Sequence, residues 1–154
     1  MNKKVTMQEL LPFIEEALNN DKTFIIPITG TSMRPLLIAG RDTVTLKKCN
    51  TTLKKGDLPL YRRKDGAFVL HRVVGFTENG NYIMCGDNQF LKEKGIAHNQ
   101  IIGVVTEITR NSKTFSVESK KYQRYVKFGL SILNIRYPYK RLRYLGHLVK
   151  EKIK

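Results

Sequence analysis

Leu10, Leu11, Ile14, Ala17 and Leu18 recur at spacings of three and four, with acidic residues on the opposite side. That period predicts a short amphipathic helix over residues 7 to 19, with Pro12 near its first turn. From Phe24 onward the pattern changes to short runs rich in β-branched, aromatic and aliphatic residues. These are Phe24 to Ile28, Thr43 to Leu46, Leu58 to Tyr61, Phe68 to Val74, Tyr82 to Cys85, Ile101 to Thr109 and Thr114 to Val117. Turn signals separate them, among them Lys64-Asp65-Gly66, Glu78-Asn79-Gly80-Asn81 and Arg110-Asn111-Ser112-Lys113. The expectation is a mainly β chain whose core is built of short antiparallel strands joined by hairpins. Pro59 is expected to confine its strand to a sheet edge or a bulge, because proline cannot donate to a ladder.

Past Ser119 the pattern changes again, to basic residues interleaved with aromatic and aliphatic ones, and Tyr137-Pro138-Tyr139 interrupts it. Two short helices are predicted there. Leu142, Leu145, Val149 and Ile153 fall on one face, while Lys140, Arg141, Arg143, Lys150 and Lys154 cover much of the remainder. The expected organisation is an N-terminal helix in residues 1–22, a β domain in 23–119 and a basic helical tail in 120–154.

Charge sharpens this division. The chain of 154 residues has a formal net charge of +15, of which residues 120–154 supply +10. A surplus of that kind attracts polyanions, either nucleic acid or the anionic face of a bilayer. No helix-turn-helix, RNA-recognition or zinc-finger pattern accompanies it, so specific nucleic-acid recognition is not expected. The tail is expected to make peripheral contact through Lys140, Arg141, Arg143 and Lys150, with an anionic membrane or a partner protein. The other reading is a helix that covers the β core and leaves its charged face solvated. No apolar run approaches the length of a membrane span, and Gln8, Glu15 and Glu16 interrupt the segment where an export signal would be apolar. Cys49 and Cys85 have no zinc or disulfide-framework spacing, and no metal or cofactor is expected.

The candidate chemistry lies in four short segments. Gly30-Thr31-Ser32-Met33-Arg34-Pro35 follows the first strand and places a serine where the chain turns tightly. Lys55-Gly56-Asp57 opens a strand, Leu70-His71-Arg72-Val73-Val74-Gly75 forms another, and Cys85-Gly86-Asp87-Asn88 ends a third. In this order, over roughly residues 24 to 109, they resemble the four boxes of type I signal peptidases and of the related LexA-like autopeptidases. The ordered set is far more specific than any one segment.

The resemblance implies a signal-peptidase/LexA-like β core and a serine peptidase, with Ser32 as nucleophile. His71 stands where bacterial-type signal peptidases carry a lysine base, as in the endoplasmic-reticulum and archaeal-type variants. A neutral imidazole can accept the serine proton near pH 7, whereas a lysine would first need a much lowered pKa. Asp87 is implied near the site, able to orient the histidine, with Glu93 or no third residue as alternatives. The oxyanion would be held by the Ser32 N–H and the neighbouring turn, and Gly30, Thr31 and Met33 would line the nucleophile and the substrate groove. Lys55 and Lys64 are rival bases at turn positions, Asp57 reads as structural, and His98 and His147 as surface residues.

The function implied is an endopeptidase that trims leader or pro-segments from a peptide or protein precursor. The expected location is cytoplasmic, peripheral on the inner face of the membrane. The rival classes are a non-catalytic peptide-binding or membrane-associated protein on the same scaffold, a nucleic-acid binder and a self-cleaving regulator. The last would require a lysine base and a cleavage site upstream of the serine.

Overall fold

The computed structural model describes residues 6–131, together with Pro138 and Leu142. The tail positions Lys140, Arg141, Arg143 and Lys150 lie outside the described residues. The first helix, α1, spans Met7–Asn19 and begins at a capping box. The Thr6 hydroxyl accepts from the Glu9 N–H at 3.3 Å, and the Glu9 carboxylate accepts from the Thr6 N–H at 2.8 Å. Ile14 and Leu18, on the apolar stripe, are buried in the core. Burial of each contributes about 2 kcal/mol. Pro12 falls in the second turn rather than the first. The carbonyl that loses its donor there is that of Gln8, on the exposed side of the helix.

Nine antiparallel strands follow: β1 Phe24–Pro27, β2 Asp42–Lys47, β3 Pro59–Arg62, β4 Phe68–Leu70, β5 Arg72–Phe76, β6 Tyr82–Cys85, β7 Glu93–Ile96, β8 Ile101–Arg110 and β9 Lys113–Ser116. The chain is mainly β. Six strands form one sheet in the order β1-β2-β8-β3-β4, with β9 paired to β8, and the other three form a second sheet in the order β5-β6-β7. Bulges between Thr45 and Leu46 and between Leu60 and Tyr61 bend the larger sheet, and extra residues of this kind increase local twist. One sheet is curled into a half-barrel.

Alternation along β3 feeds two cores. Leu60 joins Ile14, Leu18, Ile26, Val44, Leu46 and Ile108 in the larger one, while Tyr61 joins Leu53, Val73, Tyr82, Met84 and Ile96 in the smaller. Gly103 lets α1 come close, since a Cβ there would stand 2.9 Å from Leu18 Cδ1 and 3.0 Å from the Lys47 carbonyl oxygen. At the β8–β9 hairpin Asn111 and Ser112 both take positive φ, 49° and 60°, as a two-residue type I′ turn requires.

The second helix, α2, spans Lys120–Ser131 and places Tyr122 and Val126 in the larger core. Among the described residues, no helix is long and apolar enough to cross a membrane.

Three features depart from the sequence pattern. The run Phe68 to Val74 is two strands, β4 in the large sheet and β5 in the small one, and His71 is the single residue between them. Pro59 does not put β3 at an edge, because β3 lies between β8 and β4. As the first residue of its strand, next to the Leu60/Tyr61 bulge, it takes positions that spare the ladder. β7 carries no hydrophobic pattern, since Ile96 alone of its residues is buried.

Candidate active site

The change of sheet at position 71 fixes the histidine. With β4 hydrogen-bonded in one sheet and β5 in the other, His71 stands at the corner where they meet, and it is 2% exposed. The loop after β1 brings Ser32 to the same place. Ser32 and His71 line one cleft of about 250 Å³, with Met33, Arg63, Gln89 and the β1 and β4 residues Ile26, Pro27, Phe68 and Val69 among its walls. No direct hydrogen bond joins the two side chains. Among the described residues neither the hydroxyl nor the N–H of Ser32 has a hydrogen-bond partner.

The Ser32 loop is held by the turn that follows β6. The Asn88 N–H donates to the Ser32 carbonyl at 2.7 Å, and the Asn88 side-chain amide donates to the Thr31 carbonyl at 3.3 Å. The approach is close enough to require glycine at position 86. A Cβ there would lie 2.7 Å from the Ser32 carbonyl oxygen, a separation that real side chains do not show, and a tight 3.1 Å from Ser32 Cβ. Of the other residues named for this loop, Gly30 has φ 73° and is exposed, as is Thr31. Met33 is buried in the larger core while still lining the cleft.

The carboxylate at the His71 ring is that of Glu93. Its Oε1 stands 3.2 Å from His71 Nδ1, and the Tyr61 hydroxyl lies 3.3 Å from the same nitrogen. Arg63 grips the same carboxylate with two hydrogen bonds, Nε to Oε2 at 2.7 Å and Nη2 to Oε1, the oxygen it shares with His71. Burial alone would raise the Glu93 pKa, but the hydrogen bonds from Arg63 and Tyr61 hold it below the usual carboxylate range. Burial pushes the Tyr61 phenol well up, and Glu93 beside it pushes further, so the hydroxyl remains a donor. For His71, burial lowers the pKa from its ordinary 6.5 and outweighs Glu93, which raises it. A neutral imidazole results near pH 7. With Nδ1–H directed at Glu93, the lone pair is on Nε2.

Asp87 has a different place from the one expected for an orienting acid. Both its oxygens accept from Arg72, Oδ1 from Nε at 2.8 Å and Oδ2 from Nη2 at 2.7 Å, and Oδ2 also accepts from the Tyr125 hydroxyl at 3.2 Å. A guanidinium presents a planar fork that matches a carboxylate better than an imidazole does. Arg72 is 3% exposed and uses Nη1 on the Gly56 carbonyl at 2.8 Å and on the Tyr122 hydroxyl at 3.1 Å. One buried cation, on the residue after His71, therefore joins the Lys55-Gly56-Asp57 turn, the turn that holds Ser32, and α2.

The rest fall away from the cleft. Lys55 is exposed at its turn, and the Asp57 carboxylate accepts from the Lys54 N–H at 2.8 Å. His98 is exposed and bonds the Tyr82 hydroxyl at 2.8 Å. Lys64 lines a neighbouring cavity and not the cleft itself, and His147 is outside the described residues. Arg63 and Tyr61 belong to the site although no motif marks them in the sequence. A tyrosine inside an apolar run reads as core, and an arginine at a strand end reads as surface. In comparison with known proteins, the chain matches no family model, no curated protein and no solved structure.

Proposed function

We propose that the chain is a serine endopeptidase of the signal-peptidase type, which cleaves leader or pro-segments from peptide or protein precursors. One observation carries this reading: Ser32 and His71, remote in sequence, open onto the same cleft, with Nδ1 of the imidazole tied to Glu93. In the proposed reaction His71 Nε2 takes the proton from Ser32 Oγ as that oxygen attacks the scissile carbonyl. The Ser32 N–H donates to the oxyanion. The imidazolium then gives its proton to the leaving amine, and water hydrolyses the acyl-serine by the same route. Glu93, which touches the base and not the substrate, is a positioning residue, and Arg63 and Tyr61 fix its carboxylate in turn.

Substrate access supports the same reading. β1 and β4 are the two ends of the strand path, so among the described residues each has an unpaired edge, and residues of both line the cleft. An extended peptide can add to such an edge through main-chain hydrogen bonds. A cleft of about 250 Å³ leaves room for small side chains beside the scissile bond. The net +10 of residues 120–154 supports contact with an anionic bilayer or an acidic partner, in keeping with a proposed peripheral location on the inner face of a membrane.

The test is cleavage of candidate precursor peptides by wild type, Ser32→Ala and His71→Ala. Each substitution is expected to lower kcat/KM by about 10³-fold or more, and a fluorophosphonate is expected to label wild type but not Ser32→Ala. Cleavage unchanged in either variant overturns the proposal. The second reading is a non-catalytic peptide-binding protein, which the missing Ser32–His71 hydrogen bond favours. It predicts that wild type binds these peptides, leaves them intact and takes no label.

A further inference from the structure

A second and larger cavity adjoins the cleft. It encloses about 750 Å³ between α1 and the far end of the curled sheet. Lys48, Arg62, Arg63 and Lys64 line it, against Glu15 as the one acidic lining residue. Among the described residues no carboxylate pairs with Lys48, Arg62 or Lys64. Three cations thus share a concave surface on which Glu15 is the one carboxylate. Such walls focus the field and raise the local concentration of anions.

The cavity is not isolated from the Ser32–His71 cleft. Arg63 lines both, and so does one face of α1, with Met7 in the cleft and Leu11 and Glu15 in the cavity, each four residues on from the last. Arg62 continues the connection, because its guanidinium lies 5.7 Å from the centroid of the Phe68 ring, which is part of the cleft wall. Sharing the Arg63 wall, the two spaces lie side by side along α1 as a trough, and the larger of them carries these three cations.

We infer that this trough binds an acidic segment of the same precursor whose scissile bond sits between Ser32 and His71, so that substrates carry Asp or Glu residues near the cleavage site. The inference rests on the cleft accepting a peptide. The lining favours peptide over nucleic acid. It mixes the cations with Leu11, Leu18, Ile101 and Ile102 and contains no aromatic ring, whereas single-stranded nucleic acid is held by stacking on aromatic platforms.

Fluorescence anisotropy on the full-length Ser32→Ala protein tests this without cleavage. The probes are a labelled peptide with an Ala-rich core flanked by a run of glutamates, the same peptide with glutamines, and a labelled oligothymidylate. The acidic peptide is expected to bind at least about tenfold tighter than the glutamine peptide, with the difference shrinking as salt is raised. Charge reversal at Lys48, Arg62 and Lys64 (K48E, R62E, K64E) is expected to erase that preference. Reversal of the same number of charges on the exposed side of α2 (K120E, R124E, K127E) is expected to leave it. If the trough variant fails to fold, Lys48→Gln and Lys64→Gln replace it, with a smaller loss of the same sign.

Equal binding of both peptides, equal loss from the α2 variant, or oligothymidylate bound tighter than the acidic peptide through these three residues overturns the inference. The result is separable from the fate of the peptidase reading. Acid-selective binding with no cleavage by wild type removes the chemistry and keeps the trough, and efficient cleavage of a neutral peptide with no selectivity does the reverse.

Discussion

His71 shows how much one side chain depends on neighbours distant in sequence. Burial works against its protonation, and Glu93 works for it but is already shared with Arg63 and Tyr61, so burial prevails. On the proposed peptidase reading, the kcat/KM profile is therefore expected to rise with pH through an inflection below 6.5, the ordinary imidazole value. Glu93→Gln removes the negative charge that supports the imidazolium. It should move the inflection to still lower pH and reduce kcat by roughly 10²-fold or more through loss of ring orientation, with KM little changed. An unshifted profile in that variant counts against Glu93 as the positioning residue. Stability follows the same sign. The unfolded chain takes up the histidine proton at a higher pH than the folded one, so His71 contributes fully above about 6.5 and loses its contribution as pH falls toward the folded value. At this scale the segments of Ser32 and His71 stand out in the sequence, and the structure brings both residues to one cleft. Arg63 does not stand out, since its partner Glu93 is distant along the chain and strand-end arginines ordinarily face water.

Elements place these side chains through their ends rather than their middles. The turn after β6 carries Gly86 against the backbone of Ser32, and the β4–β5 junction supplies His71. Gly86→Ala tests the first of these contacts. Its Cβ would meet backbone at 2.7 Å, and backbone cannot rotate aside, so the Ser32 loop must shift. The expected result is a loss of kcat of about 10²-fold, the scale of a 1 Å misplacement, accompanied by a thermal shift far too small to explain it. Peptide turnover and calorimetry on the same preparation check both. Wild-type turnover in Gly86→Ala would show that the turn does not govern the nucleophile. The regular parts of these elements were legible. α1 and β6 have the limits their hydrophobic periods predict, and β8 runs one residue longer. The β4–β5 break was hidden because the apolar run continues through it, and the change of sheet is decided by which strands pair, a long-range choice. β7 was hidden because an edge strand needs to bury little, and Ile96 meets that need alone.

Over the whole molecule, Arg72 is the point where the two sheets, the Ser32-holding turn and α2 meet. A buried ion pair is poor evidence of net stabilisation, since desolvation of both partners offsets much of the attraction. Its removal by halves is a different matter. Arg72→Met takes the Arg72 cation from Asp87, whose side chain is 9% exposed, and also frees the Gly56 carbonyl and the Tyr122 hydroxyl from this donor. The expected cost is about 3–5 kcal/mol, a fall in Tm on the order of 10 °C for a chain of this size. Adding Asp87→Leu should restore most of that stability, because two apolar groups replace two charges. It should not restore peptidase activity if the pair's purpose is to hold the Gly86-Asp87-Asn88 turn against Ser32, since that turn would keep its burial and lose its bidentate anchor. Thermal melting and turnover on the single and double variants separate the outcomes. Recovery of both properties in the double variant would make the pair a matter of packing alone, and recovery of stability without turnover would make it the link from fold to nucleophile.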